Sequence, residues 1–193
     1  MFRNTTTRWG TAAQLLHWLI ALLIGVQALL GVRGVALPLG MAKLATLARH
    51  KSLGITLLAL VLIRLLWRSA NPRPALPDNL KPYERRLAHG THAVLYGLLL
   101  TLPVSGWVMS SARGFPVSWF NLVTLPNLVH RNLPLYHAMI RVHVVLAITL
   151  AVALALHIAA ALKHHFVLRD DTLRRMVPFW GGGARAETPD AKE

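Results

Sequence analysis

The sequence predicts an all-α fold: a bundle of four membrane-spanning helices running up, down, up and down. Three observations carry this. Apolar residues make up 54% of the 193-residue chain against 15% charged, and the mean hydropathy is +0.47. A water-soluble domain of this size has no core large enough to hide that much apolar surface. Four apolar stretches each reach the ~20 residues that a helix needs to cross a bilayer, and short polar connectors join them.

The first span covers residues 11–32. Arg3 and Arg8 before it imitate a signal peptide, but the run is too long for one, carries His17 in mid-stream and has no small-x-small cleavage site after it. The second span is 47–67, followed by a stiff polar connector at 71–82 that holds four prolines. The third, 87–109, contains Pro103, which should kink it near Gly106. Residues 112–135 form a longer loop mixing Trp119 and Phe120 with Pro116, Pro126 and Pro134, expected to lie on the membrane surface. The fourth span, 136–166, is the longest and should protrude or tilt. Residues 1–180 thus read as a single integral membrane domain, and 181–193, opening on Gly-Gly-Gly, as a disordered tail.

The chain has no cysteine. That excludes disulfides, iron–sulfur ligation, thiolate zinc sites and c-type haem attachment. The formal charge of +14 suggests nucleic acid as a partner, yet the basic residues lie between apolar runs and not along one face. Membrane topology accounts for them better. With the N-terminus inside, 14 of the 21 basic residues, Arg64 among them, fall on the inner side, so both termini are expected in the cytoplasm. All seven acids (Asp78, Glu84, Asp170, Asp171, Glu187, Asp190 and Glu193) also fall inside. The outer face keeps Arg33, Lys43, Arg49, Lys51, Arg113, Arg131 and Arg141 with no carboxylate, a field that attracts small anions.

Histidine is out of place in hydrocarbon unless the protein uses it. His17 lies six residues into the first span and His157 nine residues before the end of the fourth, both at inner depth. His50 opens the second span and His143 lies seven residues into the fourth, both at outer depth. The fourteen residues from His143 to His157 are about four helical turns, so both imidazoles point the same way roughly 21 Å apart. Facing imidazoles buried among apolar helices suit b-type haem, giving an inner pair His17–His157 and an outer pair His50–His143 as ligands of two haem irons. Gly25, Gly31, Gly54, Gly90 and Gly97 let a flat ring approach backbone. Candidate propionate partners are Arg8 and Arg68 inside, with Arg49 and Lys51 outside. A lone histidine in a span more often joins helices by a hydrogen bond; four that pair by depth favour haem. Zinc would require three or four ligands at one depth, and no acid lies in the membrane core. His89 and His92 are candidates for haem or quinone contact. His164, seven residues after His157, is placed to hydrogen-bond a quinone carbonyl or pass it a proton. His130, His137 and His165 receive no chemistry.

These residues resemble the bacterial cytochrome b561 family of four-helix, two-haem membrane proteins. The matching pieces are Leu-His17-Trp, His50-Lys-Ser-Leu-Gly, Ala-His89-Gly-Thr-His92 followed by Leu-Tyr96, and the His143/His157 spacing. The most specific runs from Leu156 and His157 through His164-His165, Asp170-Asp171-Thr172-Leu173 and Arg175-Met176 to Pro178. The resemblance implies bis-histidine ligation by His17, His50, His143 and His157, a bacterial inner-membrane location, and ubiquinone as electron acceptor near His164. It also implies that superoxide is the electron donor; the cationic outer face, with Lys51, Arg113, Arg131 and Arg141, is then expected to steer that anion to the outer haem. Two alternatives stay open: a haem subunit relaying electrons from a periplasmic dehydrogenase or hydrogenase to quinone, and a non-redox membrane transporter or structural protein.

Overall fold

A computed structural model describes residues 1–6, 8–72, 74–75 and 82–178. Arg73, Asp78, Lys81 and the expected tail at 181–193 lie outside the described residues, as does most of the connector between the second and third spans. Four long helices dominate: α1 (Thr11–Ala36), α2 (Met41–Ser69), α3 (Pro82–Arg113) and α4 (Leu133–Phe166). All four are long and apolar enough to cross a membrane. The four-helix architecture read from hydropathy is the architecture found.

Each helix outruns its apolar segment, because water outside the hydrocarbon does not stop a helix made of good helix formers. Thus α2 begins at Met41, six residues before the apolar run, through Ala, Lys and Leu. At the start of α3 stands Pro82, whose missing N–H is harmless in a first turn. The helix then continues through Pro103 to Arg113. Asn132 starts α4 by accepting the Leu135 N–H at 2.9 Å, with Pro134 in the first turn. At 34 residues α4 is about 51 Å long, well beyond the ~30 Å of hydrocarbon it has to cross.

The pattern of burial is that of a lipid-facing bundle. Leu22, Leu29, Ile148, Val152 and Leu156 all stay exposed, which hydrocarbon tolerates and water would not. Two apolar clusters fill the middle of the bundle. Ile20, Leu57 and Val61 form one cluster joining α1 and α2, with Tyr96 and Leu99 of α3 packed against it. Leu95, Leu98 and Leu150 form a second between α3 and α4. Leu150 is seven residues from His143 and seven from His157. The apolar core therefore separates the level of His143, expected to be the outer one, from the level of His157, expected to be the inner.

The loop after α3 folds back onto the bundle. Residues Ser118–Trp119 (β1) and Val123–Thr124 (β2) pair antiparallel, a hairpin that the proline-rich sequence did not announce. Its turn uses Phe120 and Asn121 at φ 48 and 59, the left-handed region that usually calls for glycine. Tertiary bonds hold it there. The Ser52 hydroxyl on α2 accepts the Phe120 N–H at 3.0 Å and lies 3.0 Å from Ser118 O, and Trp119 Nε1 donates to Thr56 Oγ1 at 3.0 Å. At the opposite end, the segment after α4 returns to α1: Gln14 Nε2 donates to Arg175 O at 2.9 Å and Trp18 Nε1 to Met176 O at 2.8 Å.

Candidate functional site

The fold brings the four intramembrane histidines together in two facing pairs. His17 on α1 and His157 on α4 have ring centroids 6.3 Å apart at 72°. His50 on α2 and His143 on α4 have centroids 6.3 Å apart at 74°. One helix thus contributes a residue to each pair, and two different helices supply the partners.

Hydrogen bonds orient the outer rings. His50 Nδ1 lies 3.2 Å from the backbone carbonyl of Gln27, which can only accept, so Nδ1 carries the proton and Nε2 is the basic nitrogen. His143 Nδ1 lies 2.9 Å from Ser105 Oγ. The serine hydroxyl donates its own proton to Leu102 O at 2.7 Å, so His143 also donates from Nδ1. Each ring further rests against a glycine. A Cβ at Gly31 would come 3.1 Å from His50 Cε1, and one at Gly106 would come 3.1 Å from His143 Cε1. Of the glycines singled out in the sequence, Gly31 therefore abuts a histidine and Gly54 abuts Gln27, whereas Gly106, expected only to mark a kink, supports the second ligand candidate.

These features fit haem iron. An imidazole nitrogen binds a first-row metal at about 2 Å, so two opposed nitrogens stand about 4 Å apart and their ring centroids about 6 Å. Both pairs have that spacing. A proton on Nδ1 fixed by a neighbouring helix, with Nε2 left basic, is the arrangement that orients a metal-binding histidine; the basic Nε2 of His50 lies 3.4 Å from Gln27 Nε2. Near the outer pair Gln27 Oε1 is buried without a hydrogen-bond partner, while its Nε2 donates to His50 O at 3.0 Å. Among the described residues no cluster of three or more His, Cys, Asp or Glu has the form of a bare metal-ion site.

The remaining candidates divide. His92 joins the inner level, its ring 5.5 Å from that of His157 and its Nδ1 2.7 Å from Ala88 O. His89 is exposed and turns back to Arg85 O at 2.7 Å. His164 pairs with Asp170, Nδ1 to Oδ2 at 2.5 Å. Arg68 lies over the Tyr96 ring at 5.8 Å. Arg8 is exposed in the N-terminal turn, its N–H bonded to Thr5 Oγ1. Arg49 lines a groove between α1 and α2 with Arg33, Leu30 and Thr46. Lys51 stands 5.9 Å over Phe115 and Arg113 4.9 Å over Tyr136. Arg131 packs its stem beside Gly114 and lines a groove with Ser111 and His130, and Arg141 is exposed.

Asp170 anchors the inner turn after α4. Burial disfavours its charge, but hydrogen bonds from Thr172 and His164 outweigh that and hold the carboxyl below the usual carboxylate range. Four residues of this region escaped the sequence reading: Gln27, Ser105, Arg64 and Asp170 as a partner of His164. Their signal is a polar side chain in or beside an apolar run, which by itself points to no particular neighbour.

Comparison with known proteins gives the family. The family model described as prokaryotic cytochrome b561 matches residues 8–179. Cytochrome b561 homolog 2 of Escherichia coli (strain K12) is 35% identical over 178 residues, covering 91% of this chain and 94% of its own length. A probable superoxide oxidase, CybB, of Yersinia pestis is 34% identical over 164 residues, covering 84% and 92%. With the match spanning all four helices and every intramembrane histidine, the chain belongs to the prokaryotic cytochrome b561 family and is a multi-pass membrane haem protein of electron transfer.

Proposed function

We propose that this protein is a di-haem b-type cytochrome that oxidises superoxide at its outer face and reduces ubiquinone on its inner side. The observation that carries the reading is the recurrence of one 6.3 Å ring spacing at two levels of the same helix, His143 and His157. His50 and His143 hold the outer haem; His17 and His157 hold the inner. When bound, the two haems supply one-electron relays across the membrane.

The chain's own residues do the rest. Lys51, Arg113, Arg131 and Arg141 give the outer face its positive field, and the outer segments contain no acid to cancel it. Such a field raises the encounter rate of an anionic donor. The name of the Yersinia pestis relative supports superoxide as that donor. Two superoxide ions each lose one electron and leave as dioxygen. Ubiquinone gains both electrons and two protons from the inner side. His164 delivers a proton there, with His92 and His89 of α3 as the further contacts; its hydrogen bond to Asp170 supports this role. Arg68 serves an inner propionate; Arg8 and Arg49 are the weaker candidates, since both are exposed. The protein lies in the bacterial inner membrane with both termini cytoplasmic and residues 1–180 as one domain.

The test is direct. Purified protein carrying haem is mixed with a superoxide source and a soluble ubiquinone. Haem reduction followed by quinol formation, slowing as salt is raised, is the expected result. Haem that stays oxidised under superoxide, but is reduced by an acidic periplasmic dehydrogenase or hydrogenase, would replace the donor with a protein.

A further inference from the structure

Arg64 is a cation inside a membrane-spanning helix, five residues before α2 ends. Its Nη1 donates to Ala13 O at 2.6 Å and its Nε to the Tyr96 hydroxyl at 3.2 Å. Ala13 is one turn before His17, so the same carbonyl also receives the His17 N–H in the helical ladder. Tyr96 is one turn after His92. The guanidinium is thus clasped to the turn that carries His17 and to the turn that follows His92, and its field reaches His17, His92 and His157.

Both hydrogen-bond partners are neutral. Among the described residues Arg64 takes part in no ion pair. Arginine does not shed its proton to escape the cost of burial. An unbalanced charge in hydrocarbon is retained where the protein uses it, and in low dielectric its field on a neighbouring site is strong. The outer pair differs: its contacts are Gln27, Ser105, Gly31 and Gly106, all neutral. The cation beside it is Lys51, which follows His50 and stands 5.9 Å over the Phe115 ring of the loop after α3.

We propose that Arg64, fixed by Ala13 and Tyr96 beside the inner histidines, raises the reduction potential of the inner haem above that of the outer one. This rests on the assignment of His17 and His157 as inner ligands. The step it governs moves one electron: the outer haem is oxidised, the inner reduced, and no bond is made or broken. A cation beside the inner site lowers the free energy of the reduced form there, so the electron comes to rest on the side where quinone is reduced.

The experiment is a potentiometric titration of the full chain with both haems, the two components being assigned with the His143→Ala variant. In R64Q the higher midpoint falls while the lower one stays; in R64K, which keeps the charge, the higher midpoint stays near its wild-type value. K51Q leaves the higher midpoint in place. Unmoved midpoints in R64Q, an equal shift of both, or a fall in R64K as large as in R64Q would overturn the proposal. Loss of only the inner haem from R64Q would make Arg64 an anchor and overturn it too. Should R64Q not accumulate as folded protein, R64M, which also removes the charge and keeps the bulk, is titrated in its place and must show the same fall confined to the higher midpoint. A wild-type protein holding fewer than two haems fails the ligand assignment itself, before any Arg64 variant is read.

Discussion

Ser105 and His143 are joined across α3 and α4 by a 2.9 Å hydrogen bond, made just beyond the proline that interrupts the α3 ladder. Pro103 cannot donate to the Leu99 carbonyl one turn back; two residues on, Ser105 Oγ donates to Leu102 O at 2.7 Å. With its proton committed there, the serine accepts from His143 and leaves Nε2 basic. Ser105 thus ties α3 to the ligand candidate on α4 and fixes which of its nitrogens stays basic.

Ligand substitution should separate the two sites. His50→Ala or His143→Ala is expected to halve the haem content per chain, as is His17→Ala or His157→Ala, with different halves of the spectrum lost. His92→Ala is expected to retain both. Retention of both haems in His143→Ala would refute the pairing.

The glycine contacts predict steric control of the outer level alone. Gly31→Val and Gly106→Val place atoms where His50 and His143 already lie, at a cost of about 1–3 kcal/mol for overpacking. Lower occupancy of the outer haem with an unchanged inner spectrum is the expected result. Equal loss at both levels would show general misfolding instead.

Ser52→Ala removes the hydroxyl that accepts from Phe120 and shares its proton between Ala48 O and Ser118 O. Stranding these partly buried groups costs about 1–3 kcal/mol. The hairpin at Ser118–Thr124 should then exchange its amide hydrogens and suffer proteolysis faster than in the wild type. An unchanged pattern would mean that Trp119 and Thr56 suffice to hold it.

The inner turn should respond to acid through Asp170. Its carboxyl is depressed in the folded protein, so its contribution is full above the unfolded value and lost as pH falls through the folded one. Protection of the Thr172 and Met176 amides should hold at pH 6 and decline only below about pH 4. Asp170→Asn should remove that pH dependence. In the quinone assay, His164→Gln should slow quinol formation by about a hundredfold while leaving haem reduction unaffected.

Much of this was legible along the chain. Apolar runs long enough to span a bilayer admit little but helices, because hydrocarbon leaves backbone groups no other partners. Counting residues inward from each surface then matched His17 with His157 and His50 with His143 by depth. What stayed hidden was lateral. Gln27 and Arg64 each look like a polar residue in an apolar helix, and nothing in their spacing says which neighbour they face. The hairpin was hidden for a different reason: its turn carries Phe120 and Asn121 where glycine would have marked it, and bonds from Ser52 and Thr56 supply the stabilisation instead.

The sequence by itself determined the four helices, their alternation and where along them His17, His50, His143 and His157 stand, since rise per residue is fixed in a helix. Only the tertiary structure decided which imidazoles meet face to face, which nitrogen of His50 and His143 is left basic, and that Arg64 lies against the inner level. Those depend on how the helices rotate about their axes and pack, and rotation follows from side-chain contacts among four helices at once, which no single segment contains.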